Sequence, residues 1–326
     1  MTENKLLNTI RLKNILSYST TMETLPLESL NVLIGTNASG KSNLIEAISL
    51  LAAAPNNILI PIREGGGITE WLWKGSETSP IASIETTLSY PLSEEWTIRY
   101  SVAFTCSGNR FELVDEAVLG ESATGGTKKT ASYYAYQNGY PVLNTLIDST
   151  TNDRQERQLQ RRDVSIEQSI LSQRREADLY PELTYLATQF SQCRFYREWN
   201  LGRDTAPRLP QKADLPNEFL LEDASNLALV INHLQNYPET KRQMLALLQE
   251  FYEYIEDITT KTEGNTVQVF FHERGLRQPI PATRLSDGTL RYLCLLSILC
   301  HPKPPPLICF EEPELGLHPD ILPTIA

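Results

Sequence analysis

The chain has 326 residues, 41% of them hydrophobic, and a formal net charge of −11 at pH 7. That suffices for one large domain or two smaller ones, and the acidic balance argues against a generally basic nucleic-acid binder while leaving room for a local basic groove. No apolar run approaches the ~18 residues of a membrane helix, Met1-Thr2-Glu3-Asn4-Lys5 has no signal-peptide pattern, and Cys106, Cys193, Cys294, Cys300 and Cys309 include no C-x-x-C pair, so a cytoplasmic protein with reduced thiols and no membrane partner is expected.

Ile10 to Tyr18 alternates apolar and polar side chains at first and predicts an edge strand. Tyr18 is placed either to stack on an adenine or to pack as a strand aromatic. Thr20 to Leu30 predicts a second strand and a turn. Next comes Asn31-Val32-Leu33-Ile34-Gly35-Thr36-Asn37-Ala38-Ser39-Gly40-Lys41-Ser42-Asn43, which fits the phosphate-binding pattern G-x-x-x-x-G-K-S/T. Val32 to Ile34 reads as a buried strand, and Leu44 to Leu51 has helical spacing of apolar residues. Strand, glycine-bearing turn and helix start are the context the pattern needs, and they argue against a chance match in a loop. Gly35 and Gly40 permit backbone dihedrals closed to other residues, so that the amides of Gly35, Thr36, Asn37, Ala38, Ser39, Gly40 and Asn43 can turn toward a polyphosphate. The helix start adds its positive end. Lys41 can reach the β- and γ-phosphates of ATP, and the Ser42 hydroxyl can ligate Mg²⁺.

Ala54-Pro55-Asn56-Asn57 breaks the helix, and Gly65-Gly66-Gly67 reads as a flexible turn because no Lys-Ser pair or helix start follows it. Residues 81–145 look β-rich, with Asn138-Gly139 as a hairpin signal. From Thr150 to Glu176, Arg154, Arg157, Arg161, Arg162, Arg174 and Arg175 are nearly balanced by Asp153, Glu156, Asp163, Glu167 and Glu176. That pattern predicts a solvated helix more than a basic face for nucleic-acid phosphates. Tyr185 to Phe195 runs from helix to strand. Asp223-Ala224-Ser225-Asn226 predicts a helix cap before Leu227. Pro238 opens an amphipathic helix whose apolar stripe runs through Met244, Leu245, Leu247, Leu248, Phe251, Tyr252 and Ile255. Val267 to Phe271 is expected to pair with the stretch around Pro279-Ile280, turning at Arg274-Gly275.

Leu285-Ser286-Asp287-Gly288-Thr289-Leu290-Arg291 precedes an apolar helix, Tyr292 to Leu299, and taken alone is an ordinary helix cap. Leu307-Ile308-Cys309-Phe310 then ends in Glu311-Glu312, followed by Pro313-Glu314-Leu315-Gly316-Leu317-His318-Pro319. Adjacent acids at the carboxyl end of a buried strand are costly unless they serve a cation or a water.

These three segments, in this order, resemble the ABC-type ATPase heads of the RecF/SMC-like group, and more narrowly the stand-alone bacterial ATPases of the AAA family. The match is strong at both ends of the chain and looser in the middle. It implies an α/β fold: a P-loop NTPase head of ABC type with an antiparallel β lobe and an inserted helical lobe. Residues 1–80 and 280–326 would form the discontinuous ATPase core, 81–145 the β lobe, and 146–279 a mainly helical insertion returning to the core. The resemblance implies that Lys41 and Ser42 form the phosphate and Mg²⁺ half of the site. Glu311 takes the acid position that holds a water of the Mg²⁺ shell, and Glu312 is the base that orients the attacking water. Ser286 and Gly288 form the signature turn, which contacts the γ-phosphate held by the other protomer. Glu314 to Pro319 corresponds to the loop on the dimer interface. ATP would thus join two heads into a homodimer and hydrolysis would release them.

Two departures stand out. The acid at position 311 is usually Asp. The chain also stops at Ala326, before the further strand and γ-phosphate-sensing histidine of such heads, so a fragment or truncated gene product is expected. The glutamine loop has Gln168 and Gln173 as candidates. Two functions compete: an ATPase head acting on DNA in repair or anti-phage defence, and an ATP-sensing module that controls a partner nuclease or toxin with little turnover. A transporter subunit fits least, because its signature reads L-S-G-G-Q and not L-S-D-G-T.

Overall fold

The computed structural model describes residues 5–21, 23–90, 96–122, 129–137, 140–148 and 153–317. The chain divides into two compact units, Met1–Cys193 and Arg194–Ala326.

The first unit is built on a meander of strands. β1 (Leu7–Lys13), β2 (Thr24–Pro26), β3 (Ala82–Ser89), β4 (Trp96–Ser107), β5 (Arg110–Ser122), β6 (Lys129–Gln137), β7 (Tyr140–Asp148) and β8 (Asp153–Gln158) form one sheet in the order β2-β1-β3-β4-β5-β6-β7-β8, all antiparallel. Alternation explains which face is covered. Leu12, Ile84 and Val102 stand opposite one another on β1, β3 and β4, as do Ile10, Thr86 and Tyr100, and all six are buried. The period of two places each set on one side of the pleat. α1 (Lys41–Ala53), α2 (Leu59–Glu64), α3 (Ile68–Trp71), α4 (Ile170–Gln173) and α5 (Pro181–Ser191) complete this unit, and the Phe190 ring of α5 packs 5.6 Å from that of Tyr100.

Glu116 is the one buried carboxylate of this sheet that the described hydrogen bonds surround, and it is 2% exposed. It accepts hydrogen bonds from Tyr100 Oη at 2.7 Å, Ser169 Oγ at 2.5 Å and the Ile170 amide at 2.9 Å. Desolvation nevertheless wins and raises its pKa above the ordinary 4.5. A raised folded pKa means stability that is fully present below 4.5 and is lost as pH rises through the folded value. Wild type should therefore lose stability relative to Glu116→Gln as pH climbs past 4.5, with the gap levelling above the folded value. Urea midpoints of both proteins across the pH range test this. A gap that widens on acidification would show that the three donors outweigh burial.

The second unit contains β9 (Arg194–Tyr196), β10 (Gln211–Lys212), α6 (Leu227–Leu234), α7 (Pro238–Phe251), β11 (Ile255–Glu263), β12 (Thr266–Glu273), β13 (Ile280–Pro281), α8 (Asp287–Leu299) and β14 (Ile308–Phe310). β10, β12 and β11 form an antiparallel sheet with β13 on β12, and β9 pairs in parallel with β14. α8 is buried almost all round, from Thr289 to Ile298 except Arg291, and its apolar side chains join those of α6, β11 and β12 in one core. A helix apolar on every side belongs at the centre of its unit. Among the described residues no helix is long and apolar enough to cross a membrane.

Several local expectations are corrected here. β1 lies inside the sheet, because β2 takes the edge. Val32 and Ile34 are 73% and 90% exposed, and the segment belongs to no described ladder. An apolar run of three has strand propensity, but a strand also needs a partner edge, and the last ladder contact before it is Leu27 N–H to Asn8 O at 2.9 Å. The three glycines do form a turn, with Gly66 at φ 92° and Gly67 at φ 100°, but the short helix α3 follows them. The arginine-rich stretch is not one helix: it holds β8, a single 3-10 turn at Arg161–Asp163 and α4. Arg154 there is used internally, paired with the buried Glu182 at 2.6 Å and lying over the Tyr133 ring. Ile255 leaves the α7 stripe and starts β11, a strand paired with β12 around Gly264-Asn265. Residues 146–279 thus carry β8 to β12 as well as α4 to α7. The turn at Asn138-Gly139 lies outside the described residues, and β6 and β7 pair on either side of it. Cys294 and Cys300 are buried and free, with burial pushing their thiols up to about 12 and about 11, as expected for inert core residues.

Candidate functional site: a phosphate loop and an acid-and-signature half

The phosphate loop belongs to the first unit. Gly40 closes it at φ 94° as the N-cap residue of α1, with no side chain bonded to the first-turn amides and no acidic residue in that turn. A helix that starts this way leaves N–H groups and the positive end of its dipole for an anion. Glycine is required at position 40 on two counts. The backbone is left-handed, and a Cβ would sit 2.8 Å from Ser17 Oγ. At Gly35 no left-handed dihedral is needed, and a Cβ there would meet Ser39 Oγ at 2.7 Å, a contact the exposed serine side chain would have to turn away from. The left-handed residue within the loop is instead Ala38, at φ 63°.

Lys41 Nζ donates to the carbonyls of Gly35 and Thr36, both at 2.9 Å. Its ammonium is thus folded over the loop and held by neutral acceptors that an anion would outcompete. Ser42 is exposed beside it, on the first turn of α1. Two residues support the loop from the turn after β1: Ser17, which no sequence pattern marks, and Tyr18, which the sequence does mark. Ser17 Oγ accepts from Asn43 Nδ2 at 2.8 Å, and Tyr18 Oη donates to the Gly40 carbonyl at 3.2 Å. Burial raises the Tyr18 pKa, so the hydroxyl remains a donor. Tyr18 therefore braces the exit of the loop through its hydroxyl, from the turn after β1 and not from a strand.

The acids and the signature turn belong to the second unit. Glu311 and Glu312 follow β14 directly, and the Glu311 amide donates to the Tyr196 carbonyl at 2.9 Å, extending the parallel pairing with β9. β14 itself is half-buried. Glu311 Oε1 is buried with no hydrogen-bond partner, whereas Glu312 is exposed. An orphaned carboxylate oxygen is costly in a folded protein unless something absent from the protein chain completes it. Glu312 sits at φ 47°, a left-handed conformation that costs a non-glycine residue about 1–2 kcal/mol. Strain of this kind gathers at functional positions.

Ser286 caps α8, its Oγ accepting from the Thr289 amide at 3.1 Å, and it is exposed together with Asp287. Gly288 lies against the loop that follows the two acids: a Cβ at Gly288 would be 3.2 Å from the Gly316 carbonyl. Leu315 and Leu317 amides turn that loop back onto the carbonyls of Glu312 and Glu314, both at 3.0 Å. His318 and Pro319 of the expected interface loop lie outside the described residues. Arg208, which no sequence pattern marks, is buried against the signature turn. Of the glutamine-loop candidates, Gln173 is consumed locally: its amide donates to Gln168 O at 2.9 Å and accepts from Ser165 N at 2.9 Å.

Taken each in its own unit, the Ser42 hydroxyl and the Glu311 carboxylate are hard oxygen donors of the kind Mg²⁺ takes. Among the described residues there is no cluster of three or more His, Cys, Asp or Glu that would hold a metal alone.

A family model described as "AAA domain, putative AbiEii toxin, Type IV TA system" matches residues 30–326. No curated protein matches the chain. Among solved structures, an Smc head bound to the C-winged helix domain of ScpA aligns with a TM-score of 0.56 at 12% identity, covering 98% of this chain and 84% of that one. An Smc head domain with an extended coiled coil, bound to the C-terminal domain of ScpA derived from Pyrococcus furiosus, aligns with a TM-score of 0.53 at 11% identity, covering 97% and 84%. At these identities the likeness is one of fold: an α/β P-loop ATPase head with a large antiparallel sheet, the class that the three motifs imply.

Proposed function

On the premise that this chain belongs to the family described as "AAA domain, putative AbiEii toxin, Type IV TA system", we propose that it binds Mg-ATP on the Gly35–Asn43 loop and hydrolyses it. The observation that carries this reading is the loop itself. An uncapped helix start, a left-handed glycine and a lysine held by loop carbonyls together make a cradle for a polyphosphate. The amides of Gly35 to Asn43 orient the phosphates, and the Lys41 ammonium leaves Gly35 O and Thr36 O for the β- and γ-phosphate oxygens. Ser42 and Glu311 would supply oxygens to a Mg²⁺ shell, and the chemistry supplied there would be charge neutralisation at the phosphates. Glu312, exposed at the end of β14, accepts a proton from the attacking water.

The signature turn gives the proposal its second half. Ser286 and Gly288 are exposed or half-exposed at the start of α8, and in a homodimer joined by ATP they face the γ-phosphate of the partner protomer. DNA repair, anti-phage defence and control of a partner nuclease or toxin rest on the resemblance to RecF/SMC-like heads.

Calorimetric titration of Mg-ATP into the whole chain, paired with phosphate release, tests the reading. Micromolar binding with measurable turnover is the expected result. Binding without turnover moves the chain to the ATP-sensing alternative, and no heat of binding at all removes both.

A further inference from the structure

The Arg208 guanidinium is buried, 4% exposed, in the loop between β9 and β10. No phosphate-loop, acid or signature motif includes it. Its Nε donates to the Leu201 carbonyl at 2.7 Å. One terminal nitrogen donates to the Leu285 carbonyl and lies 3.5 Å from that of Ala282, and the other donates to Asp287 Oδ1. Leu285 and Asp287 are the residues on either side of Ser286. A single side chain therefore grips the signature turn before and after its serine.

The arginine is itself anchored. Its amide donates to Thr205 O at 3.0 Å, and its carbonyl accepts from Gln268 Nε2 of β12 at 3.4 Å. Burying a guanidinium is expensive unless its donors are met, and the planar fork meets three separate acceptors here as an ammonium cannot. The helix start does not need this. Ser286 already caps α8 through the Thr289 amide. What the grip adds is a fixed direction for the Ser286 hydroxyl and the Gly288 amide. Because Gly288 abuts the Gly316 carbonyl, the same grip bears on the loop that follows Glu312.

We propose that Arg208 is a positioning residue that aims the signature turn at a nucleotide phosphate, an inference that rests on the ATPase reading above. It acts after nucleotide has bound to the phosphate loop, so its loss should lower kcat and leave nucleotide affinity alone.

The test uses the whole chain in three forms: wild type, Arg208→Lys and Asp287→Ala. Arg208→Lys keeps the buried cation and removes the fork. Asp287→Ala cuts one tie at its exposed end, where the carboxylate side chain is 74% exposed, and so folds even if the first variant does not. The expected result is a kcat at least about tenfold lower in Arg208→Lys, and about three- to tenfold lower in Asp287→Ala. In both, the Kd of a fluorescent ATP analogue should stay within about twofold of wild type. A folded variant of either kind with wild-type kcat overturns the assignment, as does a loss of affinity equal to the loss of rate. If wild type itself neither binds nor hydrolyses Mg-ATP, the functional reading fails first, in the control, and the role of Arg208 falls with it.

Discussion

Lys41→Ala is expected to weaken Mg-ATP binding by a hundredfold or more and to leave the fold intact. Lys41 is the only side-chain cation in the Gly35–Asn43 loop, and its ammonium already sits over the carbonyls that line it. When phosphate replaces those carbonyls, two charge-assisted hydrogen bonds form, each contributing about 1.5–3 kcal/mol. Losing both amounts to roughly 3–6 kcal/mol, or ~10²–10⁴ in affinity. The two bonds lost from the protein itself are exposed and neutral at one end, so the melting temperature should move little. Calorimetry with Mg-ATP and a thermal melt of the same sample separate the two effects. An unchanged Kd in a folded Lys41→Ala protein would remove the phosphate-loop assignment, and a collapsed fold would show that the lysine holds the loop and not the nucleotide.

The residues proposed to touch phosphate or water are marked in the sequence because that chemistry dictates short, contiguous patterns. Gly40, Lys41 and Ser42 must follow one another for a loop to become a helix start, and Glu311-Glu312 must stand at the end of an apolar strand. What escaped the sequence is what acts from a distance in the chain. Arg208 lies about 80 residues before the turn it grips, as the bond separation of 79 to Asp287 shows, and one arginine among many carries no local mark. Ser17 reaches the loop exit across 26 residues, and Tyr18, though marked as an aromatic of interest, makes its bond to Gly40 across 22 that no local pattern foretells. Secondary structure failed in the same way. Val32 to Ile34 has the composition of a buried strand, but pairing is decided by the partner edge. β11, with Glu256, Asp257, Lys261 and Glu263 among its residues, looks like a polar extension of α7 until its ladder with β12 is seen. Within the antiparallel meander of the first unit, residues 81–145 were the easier case, because their β-branched and aromatic runs between turn signals are visible one strand at a time, whereas β1 is not the edge strand and β8 not the helix that their sequences predict.

Glu312→Gln is expected to abolish turnover while keeping nucleotide bound. The amide has the size of the carboxylate but cannot accept a proton from water, and general-base catalysis contributes about 10²–10⁴ in rate. The kinetic signature is a fall in kcat with Kd for Mg-ATP unchanged, the mark of an interaction made only in the transition state. If ATP joins two chains, the variant should also accumulate as an ATP-bound dimer in sedimentation experiments, since the step that releases the partners is gone. The backbone supplies an independent check. Glu312 holds φ 47°, and a glycine at this position would relieve about 1 kcal/mol of strain. Glu312→Gly should therefore melt no lower than wild type and yet turn over as poorly as Glu312→Gln. That pairing, stability kept and rate lost in both, is what a strained catalytic base predicts. Wild-type turnover in Glu312→Gln would move the base to another residue. A lowered melting temperature in Glu312→Gly would mean that the side chain, and not the chemistry, keeps glutamate at the end of β14.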